Sequence, residues 1–131
     1  MSVADIKAHL LAADHDWSVT EQEGNLIITN NDDITAILVV TEHQMLIESL
    51  LFPTTAIEEQ AQYDDKLMYL QKQLPLTTIG KTRLQGESYY TAFGALSANS
   101  KLDNIELELV MLFQNITEIL HFSSEHFTSN S

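Results

Sequence analysis

Ile34-Thr35-Ala36-Ile37-Leu38-Val39-Val40-Thr41 is followed, after Glu42-His43-Gln44, by Met45-Leu46-Ile47-Glu48-Ser49-Leu50-Leu51-Phe52. The first run is rich in β-branched residues and too short for a typical helix, which predicts a strand. The polar triplet turns the chain, so the second run is expected to return beside the first as its antiparallel neighbour. Working upstream, Asn30-Asn31-Asp32-Asp33 holds residue types that tolerate left-handed backbone and predicts another turn. Asn25–Thr29, the tight turn Glu23-Gly24 and a strand opening at Trp17-Ser18-Val19-Thr20 complete a four-strand meander. Before it, Ser2-Val3-Ala4-Asp5 has the spacing of a capping box. Val3, Ile6, Leu10 and Ala13 then share one helical face, predicting a helix over about residues 3–13.

Downstream, Pro53 ends the fourth strand. Thr55 with Glu58 reads as a second capping box, opening a helix whose apolar face is Ile57, Ala61, Leu67, Leu70 and Leu74. Asp64 is a candidate cap for a fresh turn within it, and Pro75 closes the segment. Thr78–Leu84 and Glu87–Leu96 flank Gln85-Gly86 as a hairpin. Ser100-Lys101-Leu102-Asp103 reads as a third capping box, opening the longest helix, to about His121. The tail 123–131, rich in Ser, Thr and Asn, is expected to be flexible. The order is α-β-β-β-β-α-β-β-α: an α+β fold, one domain over 1–122, with helices packed on an antiparallel sheet.

The 131 residues carry nineteen acids and six basic residues, a net −13. Residues 1–65 hold thirteen of those acids against Lys7 alone, whereas 66–131 hold six acids against five basic residues. Phosphate backbones and anionic lipid need clustered Lys and Arg, so nucleic-acid binding and membrane docking through the first half are not expected. An acidic face suits solubility or a basic partner. No cysteine is present, which excludes disulfides and thiolate chemistry. No charged-then-apolar leader opens the sequence, so the cytoplasm is the expected location.

No serine has nucleophile-elbow spacing and no glycine-rich phosphate loop is present. His9 lies four residues after Asp5 and Asp14-His15-Asp16 is a helix-exit cluster, both expected to be solvated surface, and the five-residue step from His121 to His126 is not a one-face spacing on a helix. Asp32-Asp33 and Asp64-Asp65 lack the further oxygens that calcium requires. The chain is expected to be no enzyme, to hold no cofactor or metal, and to ignore chelators.

Two segments offer binding surface. In Glu87–Leu96, alternation places Tyr89, Thr91, Phe93 and Ala95 on one face and Tyr90, Ala92, Gly94 and Leu96 on the other. A glycine inside a strand marks a bulge or a close backbone approach, so Tyr89, Tyr90, Phe93 and Gly94 form a candidate groove for a partner's chain. In the last helix, Leu102, Ile105, Leu109, Leu112, Ile116 and Ile119 form a seam for the sheet. Leu107, Val110, Met111 and Phe113 widen the apolar arc beyond it and form a candidate homodimer interface.

Leu74-Pro75-Leu76-Thr77-Thr78-Ile79-Gly80, the run Tyr89–Ser97, and Ser100, Leu102, Ile105, Glu108 and Asn115 give the sequence a resemblance to the bacterial YjfI-like family of unknown function. The resemblance implies no activity and no assigned site residue. It does imply gene neighbourhoods shared with phage-shock-protein-A-like membrane-remodelling proteins. The element order also looks like the type III secretion chaperone fold shared with YbjN-like proteins, which implies a small acidic binder of extended segments. The expected function is a non-enzymatic adaptor or chaperone-like protein binding another protein, with a phage-shock-protein-A-like protein as a possible partner. The alternative is a small-ligand-binding or regulatory domain, which a pocket lined by Tyr89, Tyr90, Phe93 and Trp17 would favour.

Overall fold

Successive side chains point to opposite faces, and burial alternates accordingly along β2 (Asn25–Asn30), β3 (Thr35–Val40) and β4 (Gln44–Pro53), while β1 (Trp17–Gln22) buries Val19. The computed structural model, which describes residues 2–128, joins them to β5 (Thr78–Leu84) and β6 (Glu87–Ser97) in one sheet. The strand order is β1-β2-β3-β4-β6-β5 and every pair is antiparallel. The two central runs of the sequence are neighbours as expected, Val39 lying opposite Leu46.

The hairpin turns at Glu23-Gly24 and Gln85-Gly86 have positive φ at both positions, 53° and 82° in the first, 51° and 82° in the second. Such turns match the right-handed twist of the strands, and glycine at the second position adopts them without strain.

Leu26, Ile28, Ala36, Leu38, Met45, Ile47 and Ala92 point to one side of the sheet and are closed from water. Helices α1 (Val3–Ala12) and α3 (Leu102–Ser123) lie on that side, contributing Ile6, Leu10, Ile105, Leu109, Leu112, Ile116 and Ile119 to the same core. Ser2 and Asp5 form the capping box read from the sequence, Asp5 N donating to Ser2 Oγ and Ser2 N to Asp5 Oδ2.

The other two boxes do not form. The chain leaves β4 through a 3-10 turn at Thr54–Ala56, and α2 runs over Gln60–Gln71 with no side-chain cap at Glu59. Tertiary pairing takes over the backbone that the box would have used. Ile57 bridges to Phe127, and Glu58 N donates to His126 O. Asp64 begins no fresh turn; α2 passes through it unbroken. Helix α3 starts one residue later than read, behind Lys101, again without a side-chain cap.

The same pairing fixes residues 123–128, which were expected to be flexible. Phe127 packs edge-on against Phe52 at 4.9 Å, and Thr128 N donates to Ala56 O. Residues 129–131 of the expected tail lie outside the described residues. Phe52, Phe122 and Phe127 close a second core of Ile57, Tyr63, Leu67 and Tyr90 between α2 and the sheet.

Candidate functional site

All three helices lie on one side, so among the described residues the opposite side of the sheet has no helix over it. Register places Ile27, Ile37, Val39, Leu46, Glu48, Leu50, Tyr89, Thr91, Phe93 and Leu84 there. Ile37, Leu50 and Leu84 are 44%, 47% and 47% exposed, an unusual position for three large aliphatic side chains. Ile37, Val39, Leu46, Leu50 and Leu84 contribute to the wall of a depression of about 590 Å³, which Ile116 and Leu120 of α3 also line. The only basic residues in any strand, Lys81 and Arg83, pair opposite Tyr90 and Ser88 and so belong to the helix side. Lys81 Nζ donates there to Asp64 Oδ2 on α2, 2.6 Å away. The helix-free face therefore carries the carboxylates of Glu48 and Glu87 and no strand cation. Glu48 is held in place by Thr91, whose Oγ1 donates to Glu48 Oε2 at 2.8 Å.

The four residues of the candidate groove are divided by this arrangement. Tyr89 and Phe93 are half-buried on the helix-free face. Tyr90 is 1% exposed, inside the second core, and its hydroxyl donates to Asp64 Oδ1. Burial first, then the Asp64 carboxylate, pushes the Tyr90 hydroxyl well above its ordinary pKa. Gly94 does mark a close approach, but the approaching groups belong to this chain. A Cβ there would stand 2.1 Å from Glu108 Oε1 and 3.1 Å from Leu76 O. Glu108, almost closed from water, has its carboxyl raised above the usual range by that burial. Leu76 reaches Gly94 through a left-handed backbone, φ 66°, in a connection pinned by Asn115. Asn115 Nδ2 donates to Pro75 O at 2.8 Å and Thr77 Oγ1 at 2.7 Å.

Trp17 sits at the far edge of the sheet on β1, stacked on His15 at 4.4 Å, so Tyr89, Tyr90, Phe93 and Trp17 line no common pocket. In the candidate dimer patch, Phe113 is 7% exposed and lies 6.3 Å from the Trp17 ring. Val110 and Met111 are half-buried, and Leu107 is exposed. Of the extra apolar arc of α3, Phe113 is closed off against the start of β1 and Leu107 is left open.

One cluster was invisible in the spacing of the sequence. His9 on α1 and His15 in the following connection reach the same carboxylate on α3. His9 Nε2 lies 2.9 Å from Glu106 Oε1, and His15 Nε2 lies 2.7 Å from Glu106 Oε2. Asp103, one turn earlier on α3, places Oδ1 3.7 Å from His9 Nε2. The bond from His15, then that from His9, holds the Glu106 carboxyl below the usual carboxylate range. Ninety-seven residues separate His9 from Glu106, so only the packing of α1 on α3 brings them together.

A single sheet with three helices in the order read here is a type III secretion chaperone-like fold. The crystal structure of the ExsC–ExsE complex contains a chain that aligns over 100% of both lengths with a TM-score of 0.63, at 13% identity. The family is defined by sequence. The chain belongs to the bacterial family described as "Uncharacterized protein conserved in bacteria (DUF2170)", matched over residues 6–127. It is 36% identical over 110 residues to the uncharacterized protein YjfI of Escherichia coli strain K12, covering 82% of this chain and 83% of YjfI. YjfI of Escherichia coli O157:H7 gives the same figures. No helix among the described residues is long and apolar enough to cross a membrane.

Proposed function

We propose that this chain is a non-enzymatic adaptor or chaperone-like protein whose helix-free sheet face receives a basic, amphipathic segment of a partner protein. The observation that carries the reading is the exposure of Ile37, Leu50 and Leu84 on a face with no helix over it. Charge selects the partner's chemistry: that face offers Glu48 and Glu87 and no strand cation, within a chain of net −13. The fold supports the reading, since its solved neighbour was crystallised as a protein complex. The pocket that would have favoured a small-ligand protein does not form, because its four aromatic residues lie apart. A phage-shock-protein-A-like protein is the first partner to test, on the strength of the family resemblance alone.

A photo-crosslinking residue placed at Ile37 or Leu50 tests the site in cells. The expected product joins this chain to a Lys- or Arg-rich segment of one protein, and Leu84→Asp removes it. Crosslinks formed only from control positions such as Met68 on α2, which is 77% exposed, would move the site elsewhere.

A homodimer is the finer form of this reading. Without Phe113, its α3 interface rests on Leu107 with Val110 and Met111, on a helix that carries Asp103, Glu106, Glu108 and Glu118 and no Lys or Arg. Sedimentation across a concentration series decides it. A monomer at tens of micromolar removes self-association and leaves the sheet face untouched.

A further inference from the structure

We propose that His9, Asp103 and Glu106 form a binding site for a divalent transition-metal ion, with zinc the best match, that ties α1 to the first turns of α3. Nε2 of His9 and one carboxylate oxygen from each acid lie within 4.8 Å of one another, the sole such group of His, Asp and Glu donors among the described residues. Tetrahedral zinc with bonds of about 2.0–2.2 Å sets donor separations of roughly 3.3 Å. The observed 2.9 Å from His9 to Glu106 and 3.7 Å from His9 to Asp103 stand on either side of that value. The third separation, Asp103 to Glu106, lies within 4.8 Å, and rotation of the exposed Asp103 side chain is what draws the three donors together.

The donor types decide the metal. One imidazole with two carboxylates suits zinc and its first-row neighbours, whereas calcium and magnesium take oxygen alone. The remaining coordination positions go to water, since Asp103 is exposed and leaves the site open to solvent. A neutral His9 binds through Nε2 by carrying its proton on Nδ1.

The site is also supported from outside. A carboxylate that binds a metal is commonly fixed by a second hydrogen bond, and His15 supplies one to the other oxygen of Glu106 at 2.7 Å. His15 is in turn stacked on Trp17, and Trp17 Nε1 donates to Leu10 O at 2.9 Å, which closes the chain of contacts back onto α1. His15 is thus a positioning residue and His9, Asp103 and Glu106 are the ligands. Such a site makes the protein respond to zinc, where the absence of a ligand set in the sequence predicts indifference to chelators.

The test uses untagged full-length protein stripped with EDTA and exchanged into chelator-free buffer. Calorimetric titration with zinc chloride is expected to show one site. His9→Asn and Glu106→Gln should weaken it at least tenfold, Asp103→Asn severalfold, and His15→Asn less than His9→Asn. Zinc should raise the melting temperature and EDTA should reverse the rise, while magnesium and calcium do neither. Cobalt(II) should quench the single Trp17, which stands behind His15. Three results overturn the proposal: no zinc binding by the wild-type protein; binding that His9→Asn, Glu106→Gln and Asp103→Asn all leave unchanged; or binding lost only on replacing His43, His121 or His126. Asp103 is 93% exposed, so Asp103→Asn reports on the site even if another variant fails to fold.

Discussion

At Gly94 the absence of one methyl group decides how α3 sits on the sheet. The Glu108 carboxyl and the Leu76 carbonyl both occupy the space above it, and only glycine leaves that space free. Gly94→Ala is expected to destabilise the protein by about 1–3 kcal/mol, the usual range for overpacking. Pairing it with Glu108→Ala should recover part of the loss, because the Leu76 carbonyl remains; chemical denaturation of the two variants checks both. Tyr63 and Tyr90 set a different limit. Burial raises both hydroxyls above the ordinary tyrosine value of 10.0. The folded protein therefore holds these protons more tightly than the unfolded chain. That contribution is fully present below pH 10 and is lost as pH rises above it, through the folded-state values. Stability measured from pH 8 upward should fall beyond pH 10, and fall less steeply in the double variant Tyr63→Phe, Tyr90→Phe.

The strands were legible as elements because β-branched runs and turn residues are local signals, and both two-residue hairpins follow their glycines. Capping signals were less informative. Ser2 and Asp5 sit at a free helix start and act as written, whereas the backbone near Thr55 and Glu58 is claimed by the C-terminal segment. A bridge between residues as distant as Ile57 and Phe127 leaves no mark in a window of ten or twenty residues. The same reasoning explains why residues 123–128 read as a tail. Their composition is polar, but Phe127 and Thr128 are spent on the second core and on Ala56. Phe127→Ala is therefore expected to cost roughly 1–2 kcal/mol, somewhat less than the full burial of a phenylalanine. A flexible tail predicts no change in the denaturation midpoint, so this one measurement separates the two accounts. The apolar breadth of α3 is partly used inside the chain, where Phe113 meets Trp17, while Leu107 stays exposed.

Across the whole molecule, charge and layering point to the same surface. Residues 1–65 hold thirteen acids against Lys7 alone, and they supply α1, the four-strand meander and the start of α2. The helix-free face is thus built mainly on the acidic half, while Lys81 and Arg83 of the near-neutral half turn toward the helices. A field of one sign over an apolar floor steers an oppositely charged partner and then lets dispersion and burial hold it. The two contributions separate experimentally, because salt screens the first and leaves the second nearly untouched. The Debye length falls from about 10 Å at 0.1 M salt to about 3 Å at 1 M. With a partner identified by crosslinking, raising sodium chloride over that range should slow association at least tenfold. Dissociation should change far less, since it follows contacts at Ile37, Leu50 and Leu84. Glu48→Gln should mimic part of the salt effect on association, and Leu50→Ala should speed dissociation while leaving the salt dependence as it was. Association that ignores salt would show that the partner is not selected by charge, and a Leu50→Ala variant with unchanged dissociation would show that it does not rest on this face.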